Sequence, residues 1–164
     1  MIGIGDANWK LAVYIGNRPP LDEFTTLNEI IPANVGDLSR VGQSTSNHWR
    51  KIINIYAKLT YSLKSQCFDS WQVYRDNYLL SESSGQALLF NQYTNTQLNH
   101  RISLICGKTY AAEQVDTALF DLVDDDFAIN NTHKTIITPY FDYRQLSNLK
   151  IDKLVKLIKN MQLL

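Results

Sequence analysis

Polar side chains directly follow several apolar segments of this 164-residue chain, and they are the first candidates for binding or catalysis. Arg18 stands immediately before Pro19 and Pro20. A guanidinium offers five N–H donors in a planar fork that matches a phosphate or a carboxylate, and two consecutive prolines hold the loop extended. We therefore expect Arg18 to bind an anion. The alternative is a surface ion pair with Asp22 or Glu23, which would be worth at most ~1 kcal/mol.

Five further residues could line the same site. Asn17 and Asn91 carry amides that both donate and accept hydrogen bonds, His48 carries an imidazole, and Thr138 and Tyr140 carry hydroxyls. A turn or a helix end would also explain each asparagine, since Asn often bonds to its own backbone. The predicted ligand-binding set is Asn17, Arg18, His48, Asn91, Thr138 and Tyr140.

The elements that must position these residues follow from the hydrophobic pattern. Short apolar runs without alternation are typical of strands buried on both faces, and they lie at about 10–16, 86–90, 101–106 and 134–138. Apolar residues at helical spacing predict helices at about 46–63, 69–80 and 150–162. Residues 21–45 have no steady period and are interpreted as loop with at most one short helix. Strands that alternate with helices predict a single α/β domain over residues 1–164, with three α/β/α layers and a mainly parallel central sheet.

This architecture places ligands beyond the carboxyl ends of the strands. The segments to inspect are therefore those that follow each predicted strand, at residues 16–20, 91–93, 107–110 and 138–148.

Other conspicuous residues have simpler structural explanations. Trp49 and Trp71 fall on apolar helix faces, which predicts core packing. Lys150, Lys153, Lys156 and Lys159 recur at every third residue of the last helix, and this pattern is more often a solvated face than a nucleic-acid contact. The acidic run at 124–126 is predicted to be an exposed, solvated loop.

The segments that follow the strands resemble, in order, the motifs of the uracil-DNA glycosylase superfamily. Five segments carry the resemblance: Gly16-Asn17-Arg18-Pro19, Ser46-Asn47-His48-Trp49-Arg50-Lys51, Leu88-Leu89-Phe90-Asn91, Gly107-Lys108-Thr109-Tyr110-Ala111-Ala112, and Thr138-Pro139-Tyr140-Phe141 with Gln145-Leu146-Ser147. The resemblance implies a glycosylase-like fold with a pocket for a base or nucleotide, in which the amide of Asn91 would recognise the base.

The resemblance fails at the catalytic positions. Where that family has an Asp or Asn that directs a water at the sugar C1′, this chain has Arg18, which cannot act as a base. Where one branch has a carboxylate just before that position, this chain has the amide Asn17, and Thr138 replaces the His that stabilises the departing base. The resemblance therefore implies a binding pocket without standard uracil excision.

Composition limits the remaining classes. The 16 basic and 16 acidic residues balance, so a surface that binds nucleic acid tightly and without specificity is not supported, although a local site remains open. Cys67 and Cys106 show no metal-ligand spacing, and no cofactor motif is present. Residues 1–9 lack a secretory pattern and no apolar run reaches ~18 residues, so we expect a cytoplasmic protein without a membrane segment.

Three functions remain open at this point. The first is a pocket for a nucleobase, a nucleotide or an anionic small molecule at the strand ends. The second is a non-catalytic protein-interaction or scaffold domain that keeps only the fold. The third is a small-molecule hydrolase on an unrelated α/β scaffold, in which His48 or Asp142 would act as the base. Convergence of Asn17, Arg18, Asn91 and Tyr140 on one concave pocket would favour the first.

Overall fold

The computed structural model describes residues 1–64, 67–95 and 100–163. Within these ranges the strands are β1 (Gly3–Gly5), β2 (Leu11–Tyr14), β3 (Ile30–Ile31), β4 (Gln86–Leu89), β5 (Ile102–Cys106), β6 (Asp121–Leu122), β7 (Ala128–Asn130) and β8 (Thr135–Thr138). The helices are α1 (Asp22–Thr25), α2 (Asp37–Ser44), α3 (Asn47–Lys64), α4 (Trp71–Asn77), α5 (Lys108–Gln114) and α6 (Asn148–Leu163). None of the helices in these ranges has the length and apolar character needed to span a bilayer.

All the strands join one sheet, in the order β3-β1-β4-β2-β5-β8-β7-β6. The four central strands are parallel: β2 pairs with β4 and β5, and β5 pairs with β8. The edges differ, because β1 runs antiparallel to β4, and β7 runs antiparallel to both β6 and β8. The α/β class is thus confirmed, while the sheet is mixed: its four central strands and the edge pair β1–β3 are parallel, and the other pairs are antiparallel.

The central strands are buried on both faces, as their unalternating sequences predict. On one face Leu11 and Val13 pack into the main core with α3 and α6, and on the other Ala12 and Tyr14 pack around Trp9. Both faces exclude water, so the central strands are mostly apolar on both faces, and the polar residues within them, such as Ser103 in β5, are buried as well.

Helix α3 connects the core to the strand ends. Trp49 is 2% exposed and its ring meets that of Phe90 edge-on, with centroids 6.3 Å apart. The fully buried hydroxyl of Tyr56 donates to the carbonyl of Ala87 in β4 at 2.9 Å, which satisfies a polar group that would otherwise be costly to bury. The core position predicted for Trp49 is confirmed.

Three expectations need correction. Residues 21–45, interpreted as mostly loop, contain α1, β3 and the two-turn helix α2. Trp71 is only half-buried, and its ring lies between the Lys58 and Arg75 cations at 5.2 and 5.6 Å. Part of the lysine face of α6 is not simply solvated, because Lys150 and Lys153 pair with the acidic run described below.

Candidate functional site

The parallel strands form a topological switch point between β2 and β5. The chain leaves β2, adds β4 on one side of it, and then crosses to add β5 and β8 on the other. In sheets of this kind a crevice forms outside the carboxyl ends of the two strands at which the order reverses. Those ends are followed here by Gly16-Asn17 and by Gly107-Lys108.

A cleft of about 710 Å³ opens beside this point, at the ends of β5 and β8. Its size is within the ~300–1,000 Å³ of small-molecule sites. Its walls combine two aromatic rings, from Tyr110 and Tyr140, with five charged side chains. The charged residues are Lys108, Glu113, Asp126, Arg144 and Lys150.

Two glycines bring the aromatic rings against the strand-end backbone. A Cβ at Gly16 would lie 3.0 Å from the Tyr110 ring, and a Cβ at Gly107 would lie 3.2 Å from the Tyr140 ring. Gly107 also has a φ of +99°, which side-chain-bearing residues rarely adopt. The sequence Gly107-Lys108 therefore permits a close approach that leaves the Tyr140 ring in the cleft wall.

Asn17, His48 and Tyr140 form a polar cluster behind this wall. The Tyr140 hydroxyl lies 3.1 Å from Asn17 Oδ1 and 2.8 Å from His48 Nε2, and Asn17 Nδ2 lies 3.3 Å from the same His48 nitrogen. The Tyr140 and His48 rings stack at 5.3 Å with an interplanar angle of 19°. Burial raises the pKa of the Tyr140 hydroxyl well above its ordinary value, so this group donates hydrogen bonds and does not ionise near neutral pH.

Asp142 organises the loop that carries Tyr140. Its carboxylate accepts from the backbone N–H of Arg144 at 3.0 Å and pairs with the side chains of Arg144 at 3.1 Å and Lys51 at 3.0 Å. These bonds, from Arg144 above all, hold the pKa of the Asp142 carboxyl well below its usual range. A carboxylate so stabilised in its charged form is a poor general base, and its place in the structure is to hold the loop to α3.

Arg18 has a different environment from the one expected. Its Nη1 donates to the carbonyls of Phe24, Thr25 and Leu27 at 3.4, 3.2 and 3.2 Å. Four carbonyls at a helix C-terminus lack partners within the helix, and Arg18 supplies donors at the end of α1. Its guanidinium also lies 5.7 Å from the centre of the Phe90 ring.

The alternative considered for Arg18, a surface ion pair with Asp22 or Glu23, is not seen among the described residues: Arg18 bonds to backbone carbonyls, and Glu23 pairs with Arg40 at 2.5 Å. The Arg18 guanidinium is thus engaged by backbone carbonyls, and Arg18 does not line the cleft at the ends of β5 and β8.

Asn91 and Thr138 are also occupied by the backbone. Asn91 Oδ1 accepts from the Ile2 amide at 2.9 Å, and its Nδ2 donates to the Gln92 carbonyl at 2.7 Å. The Thr138 side chain is fully buried and its hydroxyl donates to the carbonyl of Pro139 at 2.9 Å. Asn91 ties the N-terminal segment to the end of β4, and Thr138 shapes the exit from β8. Of the six predicted residues, the structure brings together Asn17, His48 and Tyr140.

Tyr140 is the one predicted residue in the cleft lining, and the polar residues that the prediction missed there include Tyr110, Arg144, Gln145 and Lys150, together with Lys108, Glu113 and Asp126. Tyr110 follows β5 within Gly107-Lys108-Thr109-Tyr110, and Arg144 and Gln145 lie in the 138–148 segment that follows β8. Their position directly after predicted strands is the sequence feature that could have identified these three residues as site candidates. Lys150 has no such feature, because the sequence does not distinguish it from the other lysines of α6. Within residues 1–64, 67–95 and 100–163, no group of three or more His, Cys, Asp or Glu side chains is placed to hold a metal ion.

Comparison with known proteins adds one assignment. The chain belongs to a family of unknown function, DUF6942, which it matches over residues 2–159. No curated protein and no solved structure matches it.

Proposed function

We propose that this member of DUF6942 binds a small anionic ligand with a planar ring, of the nucleotide class, in the cleft at the ends of β5 and β8. The observation that carries the proposal is the pairing, in one concave site, of two tyrosine rings with three cationic side chains. The cleft also lies at the strand ends beside the switch point, where ligands of α/β sheets bind.

The rings of Tyr110 and Tyr140 supply the contact for the planar part of the ligand. Base–aromatic stacking contributes ~1–3 kcal/mol per base and tolerates every base, since each has a π-face. Tyr140 suits this role because one face of its ring stacks on His48 and Gly107 approaches the ring at its Cδ2 edge, so the opposite face is the one that would take a base. A ring whose orientation is fixed beforehand loses little entropy when a ligand stacks on it.

Lys108, Arg144 and Lys150 supply the contact for the anionic part. The Arg144 side chain is 69% exposed, so it can reach a ligand while it retains its bond to Asp142. Against these three cations stand the carboxylates of Glu113 and Asp126. The lining therefore has a net positive charge, although the whole chain has none.

We also propose a glycosylase-like arrangement of this site without uracil excision. The resemblance of the strand-end motifs supports the first part. The second part is supported by the environments of Arg18 and Thr138, which are turned to backbone carbonyls and offer neither a base nor a donor to a departing uracil.

The hydrolase alternative has one observation in its favour, the 2.8 Å contact between His48 Nε2 and the Tyr140 hydroxyl. A His beside a hydroxyl is the geometry of an activated nucleophile. The raised pKa of Tyr140 opposes it, because the tyrosinate is disfavoured, and Asp142 is unsuited as a base. The same contact is explained if the hydrogen bond between the Tyr140 hydroxyl and His48 fixes the orientation of the Tyr140 ring for a ligand.

The test is calorimetric titration of the purified chain with AMP, UMP, the matching uncharged nucleosides and inorganic phosphate. The variant Lys150→Ala removes a cation from the cleft, and Lys156→Ala removes one from the exposed face of the same helix. We expect Lys150→Ala to weaken monophosphate binding by about tenfold, the effect of a ~1.4 kcal/mol contact, and Lys156→Ala to leave it unchanged. Absence of binding by every ligand in the wild-type chain would reject the nucleotide proposal and favour the scaffold function.

A further inference from the structure

We infer that Asp126 is a built-in competitor of the anionic ligand: its carboxylate pairs with Lys150 in the cleft wall, and a ligand that binds Lys150 must displace it. The inference rests on the proposed function and concerns the regulation of the same site.

Asp126 lies at the tip of the hairpin formed by β6 and β7. Lys108 donates to the carbonyl of Asp125 at the same tip, and Lys150 pairs with Asp126 at 2.8 Å. A third lysine, Lys153, pairs with Asp124. The hairpin is thus held against the start of α5 and along α6 by one contact to each of three lysines.

The turn itself is stabilised separately from these ion pairs. Asp124 Oδ1 accepts from the backbone N–H of Asp126 at 2.8 Å and of Phe127 at 2.9 Å. This local bonding fixes the tip, as Asp side chains do in turns. Loss of the Lys150 contact therefore leaves the turn intact.

Only one of the two ion pairs faces the cleft. Asp126 and Lys150 both line it, whereas Asp124 lines only a second cavity of about 350 Å³, which Asp126 also borders, and Lys153 lines neither. The two pairs are otherwise alike, with side-chain exposures of 37% and 31% for Lys150 and Asp126, and of 43% and 32% for Lys153 and Asp124. Ion pairs between side chains as exposed as these contribute little free energy. A phosphate, which carries more charge than one carboxylate, can therefore take the place of Asp126 as the partner of Lys150.

Charge balance gives the direction of the effect. Asp126 is one of two carboxylates that offset three cations in the lining. Removal of its charge leaves Lys150 free for the ligand and raises the net positive charge of the cleft by one. A unit charge several ångströms away in a partly solvated site changes affinity by roughly three- to tenfold. Salt screens such a contribution within a Debye length of ~10 Å at 0.1 M.

The experiment compares Asp126→Asn with Asp124→Asn, which removes the same charge from the same hairpin outside the cleft. Inorganic phosphate and AMP are titrated calorimetrically into the wild-type chain and both variants at about 20 mM and about 500 mM salt. The Debye length is above ~10 Å at the lower concentration and below it at the higher one. We expect Asp126→Asn to bind both probes roughly three- to tenfold more tightly at low salt, with Asp124→Asn close to wild type. The gain should shrink at high salt and be absent for adenosine.

Each other outcome has a definite meaning. If the wild-type chain binds AMP and Asp126→Asn shows no gain, or Asp124→Asn gains equally, the competition is refuted while the nucleotide proposal stands. If the wild-type chain does not bind but Asp126→Asn does, the nucleotide proposal fails for the natural chain, and the inference that rests on it fails as well. If neither binds, the proposed function fails and the inference fails with it. Thermal melts of the two variants establish that both are folded.

Discussion

Trp49→Ala should destabilise the fold far more than Trp71→Ala. Trp49 is 2% exposed in the main core, and truncation of a buried aromatic of this size costs ~3–5 kcal/mol. Its edge-on contact with Phe90 is one of the interactions lost. For a domain of this length each kcal/mol lowers Tm by ~2–4 °C, so the expected fall is about 6–20 °C.

Trp71 is the matched control because it is the same side chain in a half-buried position. Its main contacts are the cations of Lys58 and Arg75, and such contacts are worth ~0.5–1 kcal/mol each near the surface. We expect Trp71→Ala to cost about 1–2 kcal/mol, the sum of those contacts. The total stability of a domain is ~5–15 kcal/mol, so both variants should remain folded at 25 °C.

The assay is urea unfolding followed by far-UV circular dichroism, because removal of a tryptophan alters the fluorescence signal itself. The free energy of unfolding is obtained by linear extrapolation, with the slope compared between variants to verify a common unfolding transition. A loss below about 1 kcal/mol for Trp49→Ala, far under the ~3 kcal/mol minimum expected for a buried aromatic, would refute its core position. Equal losses in the two variants would refute the contrast between them.

Four further predictions concern the loop and the cleft. Arg144 and Lys51 lower the pKa of Asp142, so the stability contributed by that carboxylate is present above its unfolded pKa of ~3.9 and is lost as the pH falls towards the lower folded value. Asp142→Asn should therefore make Tm fall less steeply between about pH 4 and 2, the window below that unfolded pKa. Tyr140→Phe keeps the ring and should weaken AMP binding by no more than about tenfold, the value of one hydrogen bond, whereas Tyr140→Ala should abolish binding that calorimetry can detect. Gly107→Ala should lower the free energy of unfolding by ~1–3 kcal/mol because of the positive φ, and it should weaken AMP binding because the new Cβ shifts the Tyr140 ring. The control is Gly36→Ala, at a glycine with a φ of +85° and open space around it, which should lower stability alone. Finally, the purified chain should release no uracil from single- or double-stranded DNA, and multiple-turnover release would contradict this.

The central strands and long helices could be predicted because burial leaves a pattern in the sequence. Residues 11–14, and 102–106 apart from Ser103, carry buried apolar side chains on both faces of the sheet, and α3 shows an apolar stripe at helical spacing. The edge strands could not be predicted. Two residues in β3 and two in β6 are too few to show a period, and only pairing with a neighbouring strand defines them.

The candidate site was predictable in location more than in detail. Asn17, His48 and Tyr140 meet because parallel strand ends and the start of α3 lie at the same edge of the sheet. The same logic placed Arg18 and Asn91 there, but the direction of a side chain depends on local torsions and on which backbone groups lack partners. Arg18 donates to carbonyls at the end of α1, and Asn91 accepts from the backbone amide of Ile2.

The triangle of Asn17, His48 and Tyr140 cannot form hydrogen bonds along all three of its edges at once. If His48 Nε2 carries a lone pair, it accepts from Asn17 Nδ2, and the single Tyr140 hydrogen can then serve either His48 or Asn17 Oδ1. If Nε2 carries a hydrogen, it donates to Tyr140, Tyr140 donates to Asn17 Oδ1, and the Asn17–His48 edge brings two donors together. Every protonation state therefore leaves one edge of the triangle without a hydrogen bond, and imidazole ¹⁵N chemical shifts can distinguish which edge that is.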